Sequence, residues 1–205
     1  MLAFVRELAK DFKRIGAIAP SSPHLAKVMT RSLRRDSSAK RLLEVGAGTG
    51  AFTRVMLSAM RPGDELHIVE INPHFCELLD EKLLTPFREE HPNVRVTLHC
   101  GSIEDAELLG QFDYIVCGLP FNNFSTPVVR SIFKRLFSLL AEGGELSYFE
   151  YLGVRQIKGP LVGARGRSKL KRLGAMNKVL RRRHDGRARL VLGNFPPAVA
   201  MRLTR

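Results

Sequence analysis

Residues 42–50 read Leu-Leu-Glu-Val-Gly-Ala-Gly-Thr-Gly, and 20 residues after the last of these glycines the chain reaches a lone acid, Glu70. An apolar strand that enters a glycine-rich turn is typical of a parallel α/β sheet that binds a nucleotide-like cofactor at the carboxyl ends of its strands. Gly46, Gly48 and Gly50 let the backbone turn tightly and approach a ligand closely. Glu70, at the end of the second strand, is placed to accept hydrogen bonds from ribose hydroxyls. The other interpretation is a purely structural glycine turn.

The position of Glu44, two residues before the first glycine, indicates the kind of cofactor. Dinucleotide enzymes usually carry Gly-x-Gly-x-x-Gly, in which a helix N-terminus meets a pyrophosphate. The pattern here, Glu-x-Gly-x-Gly-x-Gly, instead resembles motif I of the class I S-adenosylmethionine-dependent methyltransferases. S-adenosylmethionine has no phosphate, and an acid at the loop can face its cationic methionine end. The resemblance implies S-adenosylmethionine as the cofactor, bound by Glu44, Gly46, Gly48, Thr49, Gly50, Glu70 and Ile71.

Strand and helix patterns alternate along the chain, which predicts a Rossmann-like class I methyltransferase fold: a seven-stranded, mostly parallel sheet with helices on both faces. The predicted strands are 41–45, 65–70, 94–99, 112–117, 145–151, 187–194 and 198–203. The predicted helices are 22–35, 49–60, 72–84 and 125–140. Residues 1–205 are expected to form a single domain, with a helical extension at 1–40 and a basic segment at 155–186.

The end of the third strand reads Cys100-Gly-Ser-Ile-Glu-Asp105. In many class I methyltransferases an acid after this glycine takes the adenine amino group, and the next backbone N–H meets a ring nitrogen. The acid position holds Ser102 here, so either its hydroxyl substitutes or Glu104 or Asp105 turns in. The resemblance implies that Ser102 and Ile103 line the adenine.

The end of the fourth strand reads Gly118-Leu-Pro-Phe-Asn122, beside the point where this fold transfers its methyl group. This loop resembles the Asn-Leu-Pro-Phe/Tyr motif of the ribosomal-RNA adenine dimethyltransferases, with one departure. Their first residue is an asparagine that positions the adenine amino group, whereas Gly118 has no side chain to do so. Gly118 is expected to border the cofactor, and RNA adenine N6-methylation is the alternative function.

The whole chain resembles the small bacterial phospholipid N-methyltransferases, which convert phosphatidylethanolamine stepwise towards phosphatidylcholine. The matching segments are Gly16-Ala-Ile-Ala-Pro-Ser-Ser22, Leu43–Arg54, Gly118–Asn122 and Asn194-Phe-Pro-Pro197. The resemblance implies direct transfer to an amine that must be neutral to attack. The candidate catalytic residues are Asn122 and Tyr151, with Glu150 as a further possible base. Tyr148 or Tyr151 is placed to hold a methylated cation against its ring.

The charge of the chain is unevenly placed. Residues 1–41 carry net +7, residues 42–150 net −8 and residues 151–205 net +14. Residues 2–15 are predicted to form a short basic amphipathic helix that can lie in a membrane interface or pack on the domain. The basic ends therefore predict an anionic membrane surface with its phospholipid substrate as partner, and nucleic acid as the alternative.

The cysteines, the histidines and the lengths of the apolar runs indicate the cellular compartment. The sequence contains no C-x-x-C pair and no clustered histidines, so no metal site is predicted and a reducing cytoplasm is expected. No apolar run is long enough to span a bilayer. The expected location is cytoplasmic, attached to the inner face of the cell membrane. A third interpretation is a methyltransferase-fold protein that binds anionic surfaces without turnover or methylates a small amine.

Overall fold

The computed structural model describes residues 21–34, 38–121, 124–152, 174–176 and 178–205. A seven-stranded sheet with strand order β3-β2-β1-β4-β5-β7-β6 forms its centre. The strands are β1 (Arg41–Val45), β2 (Glu65–Glu70), β3 (Arg95–Cys100), β4 (Phe112–Cys117), β5 (Leu140–Tyr151), β6 (Arg187–Val191) and β7 (Ala198–Thr204). This confirms the predicted seven-stranded sheet.

Strands β1 to β5 run parallel, and β7 is antiparallel to both β5 and β6. The carboxyl ends of the five parallel strands therefore lie along one side of the sheet, which we call the carboxyl edge. The first switch in strand order lies between β1 and β4, and in open α/β sheets such a switch leaves a crevice for a ligand. The glycine loop after β1 and the Gly118 loop after β4 border that crevice.

Helices cover both faces of the sheet because the strands are apolar on both sides. They are α1 (Pro23–Met29), α2 (Ala51–Leu57), α3 (Pro73–Leu79), α4 (Thr85–Glu90) and α5 (Thr126–Leu139), with a 3₁₀ turn at Arg31–Arg34. In β1, Leu43 and Val45 enter the core covered by α5, whereas Leu42 enters the core covered by α1 and α2. Among the described residues, none of the helices is long and apolar enough to cross a bilayer.

Several predicted boundaries are wrong for local reasons. The helix after the glycine loop begins at Ala51 rather than at residue 49, because Gly50 caps it with a φ of +85°. The helix that begins at Pro73 does not end at residue 84: a wide turn at Asp80–Leu84 carries it into α4. Strand β5 starts at Leu140, directly after α5, because Gly143 with a φ of +73° lies in an irregularity that the strand absorbs.

Three expectations concern residues outside the described ranges. The basic amphipathic pattern at 2–15 lies there, and so does Asn122. Most of the basic segment 155–186 also lies outside, apart from 174–176 and 178–186. These expectations stay predictions.

Candidate functional site

The loop after β1 is built from glycines that occupy a backbone region other residues avoid. Gly46, Gly48 and Gly50 have φ values of +76°, +56° and +85°. Such left-handed conformations are costly for residues that carry a Cβ. A Cβ at Gly48 would meet nothing within 4 Å, so this glycine borders open space. The loop therefore presents bare backbone towards the crevice.

Glu70 fixes the shape of that loop from the neighbouring strand. Its carboxylate is 4% exposed; Oε2 accepts from the Gly48 N–H at 2.7 Å and Oε1 from the Asn72 N–H at 2.9 Å. Charge-assisted bonds of this kind are among the strongest in proteins. A carboxylate offers about four acceptor positions, so Glu70 keeps capacity for further donors such as ligand hydroxyls. Its ribose contact stays a prediction, but its clamp on the loop is a role that the sequence did not predict.

The β1 and β4 loops touch each other through two glycines. The Gly118 N–H donates to the Val45 carbonyl at 2.8 Å. A Cβ on Gly118 would lie 2.6 Å from the Gly46 carbonyl oxygen, and a Cβ on Gly46 would lie 2.6 Å from the Leu119 side chain. Both distances are shorter than real carbon contacts. The two loops can approach this closely only because neither residue has a side chain.

Glu44 lies beneath the loop rather than on its surface. Its side chain is fully buried, Oε2 accepts from the Thr53 hydroxyl at 2.7 Å, and Oε1 has no hydrogen-bond partner among the described residues. Burial raises the pKa of Glu44 to about 8; the Thr53 hydrogen bond opposes the rise and the Glu70 charge adds to it. The carboxyl is therefore largely neutral at pH 7. Glu44 therefore does not present the negative charge that was expected to face the cationic end of the ligand. A contact through its Oε1 stays a prediction.

The loop after β3 is held by its own side chains. The Ser102 hydroxyl donates to Asp105 Oδ2 at 2.6 Å and accepts from the Asp105 N–H at 3.2 Å. Glu104 is turned away from this loop, because Oε1 accepts from the Ser131 hydroxyl. The Ile103 side chain is 1% exposed and belongs to the core under α5. The Ser102 hydroxyl thus donates its hydrogen bond to Asp105, and whether Asp105 or the backbone of Ser102 and Ile103 meets an adenine stays a prediction.

The segment before α1 joins the connection between β6 and β7. The Ser22 N–H donates to Asn194 Oδ1 at 2.8 Å, and Asn194 Nδ2 donates to the Pro196 carbonyl at 2.7 Å. Asn194 is 4% exposed. These two segments, 172 residues apart in the sequence, therefore meet at the carboxyl edge. Both segments carried the family resemblance, yet nothing in the sequence alone indicated that they touch.

Comparison with known proteins identifies the family. A family model described as a methyltransferase domain matches residues 43–146. The chain is also 31% identical over 149 residues to an ornithine lipid N-methyltransferase from Singulisphaera acidiphila, a match that covers 70% of this chain and 76% of that protein. The chain belongs to the class I S-adenosylmethionine-dependent methyltransferases.

Solved structures share the fold of this methyltransferase. The N-methyltransferase NodS from Bradyrhizobium japonicum WM9 superposes with a TM-score of 0.62 at 16% identity, over 90% of this chain and 97% of that one. An O-methyltransferase from Bacillus cereus in complex with SAH gives a TM-score of 0.65 at 13% identity, over 92% and 83%. At such identities the likeness shows the fold, not the acceptor.

The cofactor of this methyltransferase is S-adenosylmethionine, and the residues at the carboxyl edge fit it. The glycine loop offers bare backbone, Glu70 has acceptor positions in reserve, and Oε1 of the buried Glu44 has no partner in the part of the chain that the structure describes. Thr49 is exposed at the tip of the turn, and Ile71 is half-buried after β2. Which of these residues touch the cofactor stays a prediction.

The two tyrosines of β5 lie on opposite faces of the sheet. Tyr151 is half-buried against Phe149, with ring centroids 5.1 Å apart. Burial raises the pKa of Tyr151 above its usual range, although a hydrogen bond with Ser21 opposes the rise. A phenol with a raised pKa stays protonated at neutral pH, so the structure argues against Tyr151 as a general base.

Tyr148 does not suit the cation-binding role expected of it. Its side chain is fully buried, and its ring packs edge-on against Phe121 and Phe133, with centroid distances of 5.8 and 5.1 Å. Its hydroxyl has no hydrogen-bond partner among the described residues. A fully enclosed ring cannot receive a substrate cation unless the Phe121 loop moves.

The titration of Glu44 yields a testable pH dependence. The pKa of Glu44 is raised in the folded state, so folding favours the protonated form, and stability falls as the pH rises from about 4.5 to about 8. Each pH unit between the pKa of Glu44 in the unfolded chain and its pKa in the folded chain corresponds to about 1.4 kcal/mol, so the loss of folding stability reaches several kcal/mol. Glu44→Gln removes the titrating carboxyl and with it this pH dependence. We expect the melting temperature of the variant, relative to that of the parent, to rise between pH 5 and pH 8.5.

Scanning calorimetry across that range measures the difference directly. All other titrating groups are common to both proteins, so their contributions cancel. Glu77→Gln is the matched control, because Glu77 is an exposed glutamate of α3. Parallel melting curves for parent and Glu44→Gln would show that Glu44 is not the buried neutral acid described above.

Proposed function

We propose that this methyltransferase transfers methyl groups to the primary amine of a lipid headgroup at a membrane surface. The observation that carries the proposal is the 31% identity to an ornithine lipid N-methyltransferase over most of both chains. The basic ends of the chain support it, because anionic leaflets attract clustered Lys and Arg. Phosphatidylethanolamine and ornithine lipid both present a primary amine, and the family resemblance favours the first while the relative favours the second.

The chemistry requires little of the protein beyond placement and proton removal. S-adenosylmethionine supplies a methyl group already activated on a sulfonium. The chain must hold the amine in line with that group, exclude water and accept the proton that the attacking nitrogen loses. An ammonium with a lysine-like pKa near 10 is mostly charged at pH 7, so burial at the crevice would favour the neutral, reactive form.

Among the candidate bases, Glu150 becomes the stronger one. Tyr151 is disfavoured by its raised pKa, and Asn122 is outside the described residues. Glu150 is one residue from the carboxyl end of β5, paired with Val199 of β7. Strand alternation places it on the same face as Tyr148. A carboxylate at that position is suited to receive the amine proton.

The RNA alternative loses support at Gly118. The dimethyltransferase motif needs an asparagine at this position, whereas any side chain here would meet the Gly46 carbonyl oxygen at 2.6 Å from its Cβ. The loop arrangement in this chain therefore excludes the residue that would hold an adenine amino group.

The proposal is tested by incubating the full chain with S-adenosylmethionine labelled in its methyl group. The acceptors are vesicles containing phosphatidylethanolamine, vesicles containing ornithine lipid, vesicles of phosphatidylglycerol alone, and ribosomal RNA. We expect label in the organic extract of one or both amine-containing vesicles and none with phosphatidylglycerol. Label confined to the RNA would overturn the proposal, and the ratio between the two amine lipids identifies the headgroup.

A further inference from the structure

The connection between β6 and β7, residues 192–197, lies at the carboxyl edge. Val191 pairs with Ala198, and Ala198 pairs with Tyr151 at the end of β5. The Leu152 N–H then donates to the Pro197 carbonyl at 2.6 Å. This connection therefore shares an edge of the sheet with the glycine loop, Glu70 and Gly118.

Three large apolar side chains of this hairpin are exposed to solvent. Leu190 is 54% exposed, Leu192 is 70% exposed and Phe195 is 84% exposed. We call these three residues the apolar tip. Exposed apolar residues are ordinary when they occur singly, but a group of them on one short segment marks a contact surface.

The apolar tip is held in place by buried polar contacts. Asn194, directly before Phe195, is buried and bonds to both the Ser22 N–H and the Pro196 carbonyl. Val191 and Ala198, which flank the connection, are fully buried. The exposure of Phe195 is therefore a property of an anchored turn.

The segments that surround the apolar tip are basic. Residues 21–34 and 186–205 meet through the Ser22–Asn194 bond and through Arg202 Nη1, which donates to the Ser32 hydroxyl at 2.7 Å. These two segments contain seven Lys or Arg residues and no Asp or Glu, although Arg187, Arg202 and Arg205 lie at the end of the hairpin that is remote from the tip. Arg189 of the edge strand β6, two residues before Val191, is exposed, and so is Lys27 of α1. Such a rim attracts an anionic partner.

We propose that the apolar tip inserts into an anionic lipid surface and so holds the carboxyl edge against the membrane. An apolar centre with a basic rim matches a leaflet, which offers acyl chains below and negative headgroups above. A second copy of the chain is disfavoured, because pairing two such tips would bring two basic rims together. The inference deepens the proposed function, on which it rests: a headgroup amine in the leaflet would then lie level with the crevice.

The chain contains no tryptophan, which allows a local reporter. Phe195→Trp introduces one indole at the apolar tip. Leu109→Trp is the matched control: Leu109 is 82% exposed but lies in the loop before β4, at the opposite edge of the sheet. Both full-length variants are titrated with phosphatidylglycerol vesicles, with neutral phosphatidylcholine vesicles, and with phosphatidylglycerol vesicles brominated in their acyl chains.

We expect the emission of Phe195→Trp to shift to the blue with phosphatidylglycerol vesicles and to be quenched by acyl-chain bromine, while Leu109→Trp changes little. Neutral vesicles should produce a much weaker shift. Vesicle binding without an emission shift in the Phe195→Trp variant, or an equal shift in both variants, would overturn the inference. Blue-shifted emission from Phe195→Trp before vesicles are added would also overturn the inference, since protein would then cover the tip. The covering protein would be a second copy if dilution removes the shift, or residues 1–20 if it does not.

A loss-of-function pair completes the test. Leu192→Gln combined with Phe195→Gln should weaken vesicle binding by at least about tenfold, because two large apolar groups no longer leave water. Leu109→Gln should leave binding unchanged, and calorimetry should find S-adenosylmethionine affinity intact in both. Lipid methylation with no insertion signal would refute the inference and leave the proposed function standing. Insertion with no lipid methylation would refute the proposed function and leave the insertion of the tip standing.

Discussion

Glu70→Ala should weaken S-adenosylmethionine binding at least tenfold and lower the melting temperature in the same protein. The substitution removes the acceptor for the Gly48 and Asn72 N–H groups, which then remain without their charged partner. Hydrogen bonds to charged groups contribute roughly 1.5–3 kcal/mol each, so the glycine loop loses its shape as well as a ligand contact.

Isothermal titration calorimetry measures the affinity, and Glu70→Gln separates the two roles. Glutamine keeps one acceptor oxygen and places an amide N–H against a backbone donor, so it should fall between the parent and the alanine variant. Unchanged affinity in a folded Glu70→Ala protein would show that Glu70 does not contact the cofactor and only holds the shape of the glycine loop.

Gly118→Asn should abolish most methyl transfer and cost stability on any acceptor. The added Cβ would meet the Gly46 carbonyl oxygen at 2.6 Å and the Phe52 ring at 3.2 Å, so the two loops must separate. Overpacking of this kind typically costs about 1–3 kcal/mol, and here the displaced atoms include the backbone of the cofactor loop. Gly118→Ala should show the same defect in a milder form.

Thermal denaturation and S-adenosylmethionine titration of the Gly118 variants test this expectation. Gly101→Ala is the stability control, because a Cβ at Gly101 would meet nothing within 4 Å. A Gly118→Asn protein with parental stability that gained activity on ribosomal RNA would contradict both the packing argument and the choice of a lipid acceptor.

The sequence predicted those parts of the fold that depend on local pattern. The bounds of β1, β2 and β4 agree with the structure, because β1 and β4 end directly before the glycines of the crevice loops and β2 ends at Glu70. The glycine loop was predicted for the same reason: alternate glycines after an apolar strand have few other uses. Helix ends were less predictable, since the turn at Asp80–Leu84 carries the chain past the point where the helical pattern weakens.

The parts that the sequence did not predict depend on contacts between distant segments. Glu44 was expected to face a ligand, but whether a strand residue is buried depends on which helix covers it, here through Thr53 of α2. The closeness of Gly46 and Gly118 arises from the pairing of β1 with β4, whose sequences lie far apart. The contact of Ser22 with Asn194 spans nearly the whole chain. No local signal reports such contacts.

The most direct test of headgroup N-methylation is the mass and connectivity of the lipid product. The full chain is incubated with S-adenosylmethionine and vesicles that contain phosphatidylethanolamine and ornithine lipid, and the extracted lipids are fragmented in a mass spectrometer. We expect a stepwise series of added methyl groups located on the headgroup nitrogen, in lower yield when Glu70→Ala replaces the parent at a limiting concentration of S-adenosylmethionine. Methyl groups found only on a lipid carboxyl or hydroxyl oxygen, or on added RNA and on no lipid, would contradict this expectation.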